Sequence, residues 1–160
     1  MCIRDRFAYD EKGQLVPELA DSYEMSEDGM TYTFTMKDGL KWSDGEALDA
    51  NDVLYSWNRL ADENTAADYS YLCSVFATKD DGTLDIEASE DGKTFTAHLN
   101  APCAYFLDLC AFPAFYPVPQ QAVEAADGAD TNPGAWALEA GFVGSGPFVL
   151  TEWKHNESMT

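Results

Sequence analysis

Positive charge is scarce in this chain. Nine lysines and arginines stand against 29 aspartates and glutamates, for a formal net charge of −20. So acidic a surface repels phosphate backbones, which argues against nucleic-acid binding. It acts either as a solvated, solubilising shell or as an attraction for cationic ligands. Histidine is scarcer still. His98 and His155 stand far apart, without paired cysteines, so no metal site is expected. No run approaches the roughly 18 apolar residues of a membrane span. There is no Gly-x-Ser-x-Gly elbow and no Cys-x-x-Cys. Carboxylates are so abundant that no single pair marks a glycosidase. Neither an enzyme nor a bound cofactor is expected.

The N-terminus also lacks something. MCIRDR has no apolar stretch of the kind a signal peptide needs. It resembles adapter-derived sequence at the start of an assembled reading frame, so residues 1–6 are set aside as a non-native artefact, and Cys2 with them. Cys73, Cys103 and Cys110 remain. The run PCAYFLDLCAF reads as helical over residues 104–112, between Pro102 and Pro113. In such a helix Cys103 and Cys110 would lie two turns apart, roughly 10 Å along the axis, beyond disulfide reach. Buried free thiols are expected.

What is present is a hydrophobic content of 46% and an aromatic content of 13%, enough for a packed core in 160 residues. Residues 7–20 read as a strand, a Lys12-Gly13 turn and a Pro-marked loop. SEDGMTYTFTMKDG then alternates like a half-buried strand entered from an Asp-Gly turn. Sixty-three residues later the phrase returns as SEDGKTFTAHLN. Both hairpins are read as scaffold, building one small sheet with Tyr32, Phe34 and Phe95 facing the helices. Between them lies a clear helix start. Asp49 is placed to cap, Asn51 and Asp52 fill the first turn, and Val53, Leu54, Trp57 and Leu60 recur at helical spacing up to an end near Leu60 or Ala61. A short helix is expected over residues 119–126. GPFVLTEW at the end reads as a strand entering a hairpin whose partner is missing. An open strand at each end suggests a fragment.

These phrases, in this order, resemble one family. Pro17, Leu19, Ala20 and Ser22 are followed by Asp28-Gly29 to Phe34, by Lys41-Trp42-Ser43-Asp44-Gly45, and by Ala50-Asn51-Asp52-Val53-Leu54-Tyr55-Ser56-Trp57. Further on come the Thr94–Leu99 strand, Pro102 to Phe106, Pro117-Val118-Pro119, and GSGPFVLTEW over residues 144–153. The set is similar to the extracytoplasmic solute-binding proteins of family 5, receptors of ABC importers, and especially to the oligopeptide-binding members. The resemblance implies a mixed α/β (α+β) chain. It would be a fragment of a two-lobed periplasmic-binding-protein-like type II fold, mainly its auxiliary β-rich subdomain. Residues 7–116 would form that subdomain, and residues 117–160 would begin the return into main lobe I. The implied protein is a monomer outside the cytoplasmic membrane. It takes short peptides, hands them to permease subunits, and meets the membrane only through a lipid anchor that these residues do not contain. Receptors for nickel chelates, dipeptides or sugars share the scaffold. A free-standing β-rich carbohydrate-binding or adhesion module is the reading from another class.

Few residues here are expected to touch a ligand. Trp42 reads as the lid of a small core, Trp57 as core, and Arg59 as the partner of nearby carboxylates. Gly144-Ser145-Gly146-Pro147 lacks the lysine and helix of a phosphate loop and reads as tight backbone geometry. Tyr69 is the exception. By resemblance, the loop ADENTAADYSYL brings Tyr69 to the bound peptide, with Tyr71 as its rival. A phenol packs its ring and bonds with its hydroxyl at little entropic cost. The alternative is a tyrosine at the surface or core edge.

Overall fold

The computed structural model describes residues 7–9, 11–12, 15–126 and 131–160. MCIRDR, Cys2 and Gly13 lie outside them. β1 (Phe7–Tyr9) pairs antiparallel with β2 (Leu15–Pro17), where a loop was expected. Pro17 ends β2, which is paired on one side only, a setting in which proline is tolerated.

β3 (Ala20–Met25) and β4 (Thr31–Met36) make the first hairpin. After α1 (Ala50–Ala61), β5 (Ile86–Ala88) and β6 (Thr94–His98) make the second. β4 pairs antiparallel with β6, so one sheet runs β3-β4-β6-β5. The two turns are built alike. Ser26 Oγ donates to Asp28 Oδ1 at 2.6 Å, Met30 N to Asp28 Oδ1 at 3.0 Å, and Thr31 N to Ser26 Oγ at 2.9 Å. Ser89, Asp91, Lys93 and Thr94 repeat this at 2.6, 3.1 and 2.9 Å. Gly29 and Gly92 both sit at φ +68°, a left-handed conformation that glycine adopts without a Cβ penalty.

The register keeps the same offset. Glu24 faces Thr33 and Met25 faces Tyr32 in the first hairpin, while Glu87 faces Thr96 and Ala88 faces Phe95 in the second. Across the seam Thr33 faces Thr96. A local two-fold axis therefore passes between Thr33 and Thr96. The inward side chains, among them Phe34, Ile86, Phe95 and Ala97, are fully buried, while the threonines of β4 and β6 stay half-exposed.

α1 covers the inward face. Asp49 accepts from Asn51 N at 2.7 Å, and Asp52 at the third helical position accepts from Asp49 N at 2.9 Å, a capping box that contributes about 1 kcal/mol. The second turn docks on this start, since Ala50 N donates to Gly92 O at 2.9 Å. Trp57 sits at the centre of an aromatic cluster, with ring centroids 4.8 Å from Phe95, 5.0 Å from Phe76 and 5.4 Å from Phe115. Burying such a side chain contributes about 2–3 kcal/mol. Its indole N–H donates to Phe115 O at 3.0 Å. Ser56 Oγ, also buried, accepts from Val118 N at 2.8 Å, so α1 holds the chain at both Phe115 and Val118.

α2 spans only Phe106–Cys110, shorter than expected, and Cys103 precedes it. The helical spacing argument for Cys103 and Cys110 therefore fails, although both thiols and that of Cys73 are free and buried. α3 is Gln120–Ala125. β7 (Trp153–Lys154) pairs with β8 (Ser158–Met159). The hairpin's partner is thus in the chain, and Phe148 to Leu150 are not strand. With β2 and β8 in place, the open-strand argument for a fragment falls at both ends.

Candidate functional site

Tyr69 and Tyr71 are brought together by a loop that closes on itself. Asp62 ends α1 and caps the next turn, its carboxylate accepting from Asn64 N at 2.9 Å. Ala66 takes a left-handed conformation, φ 49°, which turns the chain back. Ser70 N then donates to Ala67 O at 3.1 Å and Leu72 N to Tyr69 O at 3.0 Å, starting a 3-10 helix over residues 70–75. That helix is anchored from below. Cys73 is buried in it and Phe76 just after it, and burial pushes the Cys73 thiol up to about 11.

The tyrosines lie on the other side. Tyr69 is 47% exposed and Tyr71 is 64% exposed, with ring centroids 6.3 Å apart. The Tyr69 ring also meets Phe112 edge to face, at 5.0 Å and 77°. Among the described residues neither phenol hydroxyl makes a hydrogen bond. The arrangement offers a ligand an apolar ring face and two unpaired hydroxyls. Phe112 was not singled out from the sequence; its only signal was an apolar residue directly before Pro113.

The other candidates are structural. Trp42 is 5% exposed and bonds the Asp52 carboxylate, whose proton affinity is raised chiefly by burial. Gly144 is pinned to Ser43, with Ser43 N donating to Gly144 O at 2.9 Å and Gly144 N to Ser43 Oγ at 3.1 Å. That fits tight backbone geometry. Arg59 departs from expectation. It donates to the Pro133 carbonyl at 2.5 Å and bonds Tyr55, and among the described residues it makes no ion pair with a carboxylate. A broad open depression of about 1180 Å3 runs along this side of α1, lined by Tyr55, Asn58, Arg59, Thr83, Val123 and Pro133. Neither Tyr69 nor Tyr71 lines it. Among the described residues no cluster of three histidines, cysteines or carboxylates could hold a metal ion, and no helix is long and apolar enough to cross a membrane.

Comparison with known proteins places this geometry. Residues 14–160 match the family profile described as "Bacterial extracellular solute-binding proteins, family 5 Middle". The oligopeptide-binding protein OppA of Bacillus subtilis (strain 168) is 37% identical over 150 residues, covering 89% of this chain and 26% of that protein. Among solved structures, the substrate-binding domain of an oligopeptide ABC transporter from Bacillus anthracis superimposes with a TM-score of 0.88 at 32% identity, over 99% of this chain and 31% of that one. Listeria monocytogenes OppA bound to peptide gives 0.82 at 31% identity, over 95% and 30%. The chain thus spans less than a third of the length of these relatives.

Proposed function

Since this chain belongs to the bacterial extracellular solute-binding proteins of family 5, we propose that its residues are part of a receptor that captures short peptides outside the cytoplasmic membrane for an ABC importer. The observation that carries this reading is the near-complete coverage of the chain by relatives named for oligopeptide binding, in sequence and in fold. The family is one of solute-binding proteins.

In this reading residues 7–116 form the auxiliary subdomain and residues 117–160 lead into main lobe I. The complete receptor is a monomer that meets permease subunits and is held at the membrane by a lipid anchor. The ligand lies between lobes that close over it. Tyr69 reaches it from the auxiliary side, with Tyr71 beside it. The ring packs on peptide atoms, the hydroxyl bonds a backbone group, and waters fill the space left by varied side chains. Support for Tyr69 comes from its exposure, its unpaired hydroxyl and its rigid 3-10 base.

The test is titration of the full-length receptor with a mixed library of tri- to pentapeptides, followed by recovery of what stays bound. Retention of peptides is expected. A receptor that ignores them and retains a metal chelate or a sugar instead would overturn the reading.

A further inference from the structure

We propose that Phe112 is a positioning residue for peptide binding, holding the Tyr69 ring in its ligand-facing orientation. This rests on the reading above, in which Tyr69 touches the peptide. Tyr69 is nearly half exposed and its hydroxyl is unpaired, so little on its own loop selects one side-chain rotamer. The contact that does is the edge-to-face meeting with Phe112, at 5.0 Å. Aromatic pairs in that geometry attract through the quadrupoles of the rings, beyond the area they bury.

Phe112 can do this because its own position is determined several times over. Its N–H donates to Leu109 O at 2.9 Å, which ties it to the end of α2. Pro113 follows and disfavours helical backbone at residue 112, which is extended at φ −84° and ψ 137°. Its carbonyl accepts from Phe115 N at 2.9 Å, and Phe115 is fully buried and held by the Trp57 indole. Phe112 itself packs against the core cluster. A core-packed ring thus supports an exposed one. Tyr71 has no such base: among the described residues its one ring neighbour is Tyr69, at 6.3 Å. An unsupported phenol must give up rotamer freedom when a ligand binds, whereas a supported one has given it up already.

The experiment measures the affinity of full-length receptors for the tightest peptide recovered from the tri- to pentapeptide library. Tyr69→Ala is expected to weaken binding. Phe112→Ala and Phe112→Leu should each weaken it roughly three- to tenfold, and Phe112→Tyr should restore it to within about twofold, since it keeps the ring. In the double variant Tyr69→Ala/Phe112→Ala, affinity should be no lower than in Tyr69→Ala alone. A merely structural Phe112 would instead add its own loss. Phe112→Leu keeps most of the packed volume, so a folding defect in Phe112→Ala leaves the test intact. If Tyr69→Ala has no effect, the reading that Tyr69 touches peptide fails, and this proposal with it. If Tyr69→Ala weakens binding and both Phe112→Ala and Phe112→Leu do not, the positioning role alone is overturned.

Discussion

The hydroxyls of Thr33 and Thr96 lie 3.2 Å apart across the seam between β4 and β6, on the local two-fold axis of the sheet. They are equivalent residues of the two hairpins, and each meets its own counterpart. Both are half-exposed, so water can replace either hydroxyl. Thr33→Val and Thr96→Val should therefore cost nearly the same, each below about 1 kcal/mol. The double variant should cost less than the sum, because the second change removes no bond. Chemical denaturation of the four proteins measures this, and clearly unequal single costs would count against the equivalence.

The turns share one backbone but have different neighbours. A Cβ on Gly29 would meet Pro102 Cβ at 3.6 Å, an ordinary contact, whereas on Gly92 it would lie 2.6 Å from Asp49 Oδ2. Gly29→Ala should cost about 1–2 kcal/mol for the left-handed backbone. Gly92→Ala should cost visibly more, because it also displaces the cap of α1. Thermal midpoints compare them, and equal shifts would mean that the cap moves aside freely.

Trp57 combines central packing with a buried donor. Trp57→Phe empties part of its site and leaves Phe115 O without its indole partner, for a loss of about 2–4 kcal/mol. Urea midpoints test this. A cost below about 1 kcal/mol would show that the cluster closes around the smaller ring.

Acid should weaken the fold through its turns. Asp28, Asp81 and Asp91 each have a carboxyl held below the usual value of 3.8, first by a side-chain hydroxyl and then by a backbone N–H. A depressed folded value contributes stability above the unfolded value and loses it as pH falls through the folded one. Stability should therefore drop below about pH 4. Asp52, raised by burial, acts in the opposite sense. Its contribution is full below the unfolded value and is lost as pH rises through the folded one. Replacing the three turn aspartates by asparagine, which keeps the acceptor, should flatten the acid limb of a midpoint-versus-pH curve. An unchanged limb would refute the assignment.

The thiols should be inert in the native chain. Burial pushes Cys73 up to about 11, and the reactive form is the thiolate. With Cys2 replaced by serine, a disulfide reagent at pH 8 should label nothing until denaturant is added. Rapid native labelling at Cys73 would contradict its burial.

Local chemistry was legible wherever short-range rules decide. The Ser-x-Asp-Gly turns, the Asp49 cap and the end of α1 follow from neighbours a few residues apart. The partner strands β2 and β8 were missed because they are two or three residues long, with little alternation to read. The carbonyl partner of Arg59, 74 residues on, was not foreseen because it leaves no mark in side-chain chemistry. Tyr69 was singled out through resemblance rather than pattern. Phe112 was not singled out because an aromatic that meets another at the edge of the core is indistinguishable in sequence from one that fills it.

The axis between the hairpins also separates two timescales. Each hairpin closes over a handful of residues, and its turn is tied by its own serine and aspartate, so its loop entropy is small. The seam joins residues 63 positions apart, and α1 must settle onto both halves before that contact is rewarded. The seam is therefore expected to form after the two hairpins, an order that folding rates of seam and turn variants would check. Changes at the seam should alter how fast the sheet is completed, while changes in a turn should alter how often its half is ready.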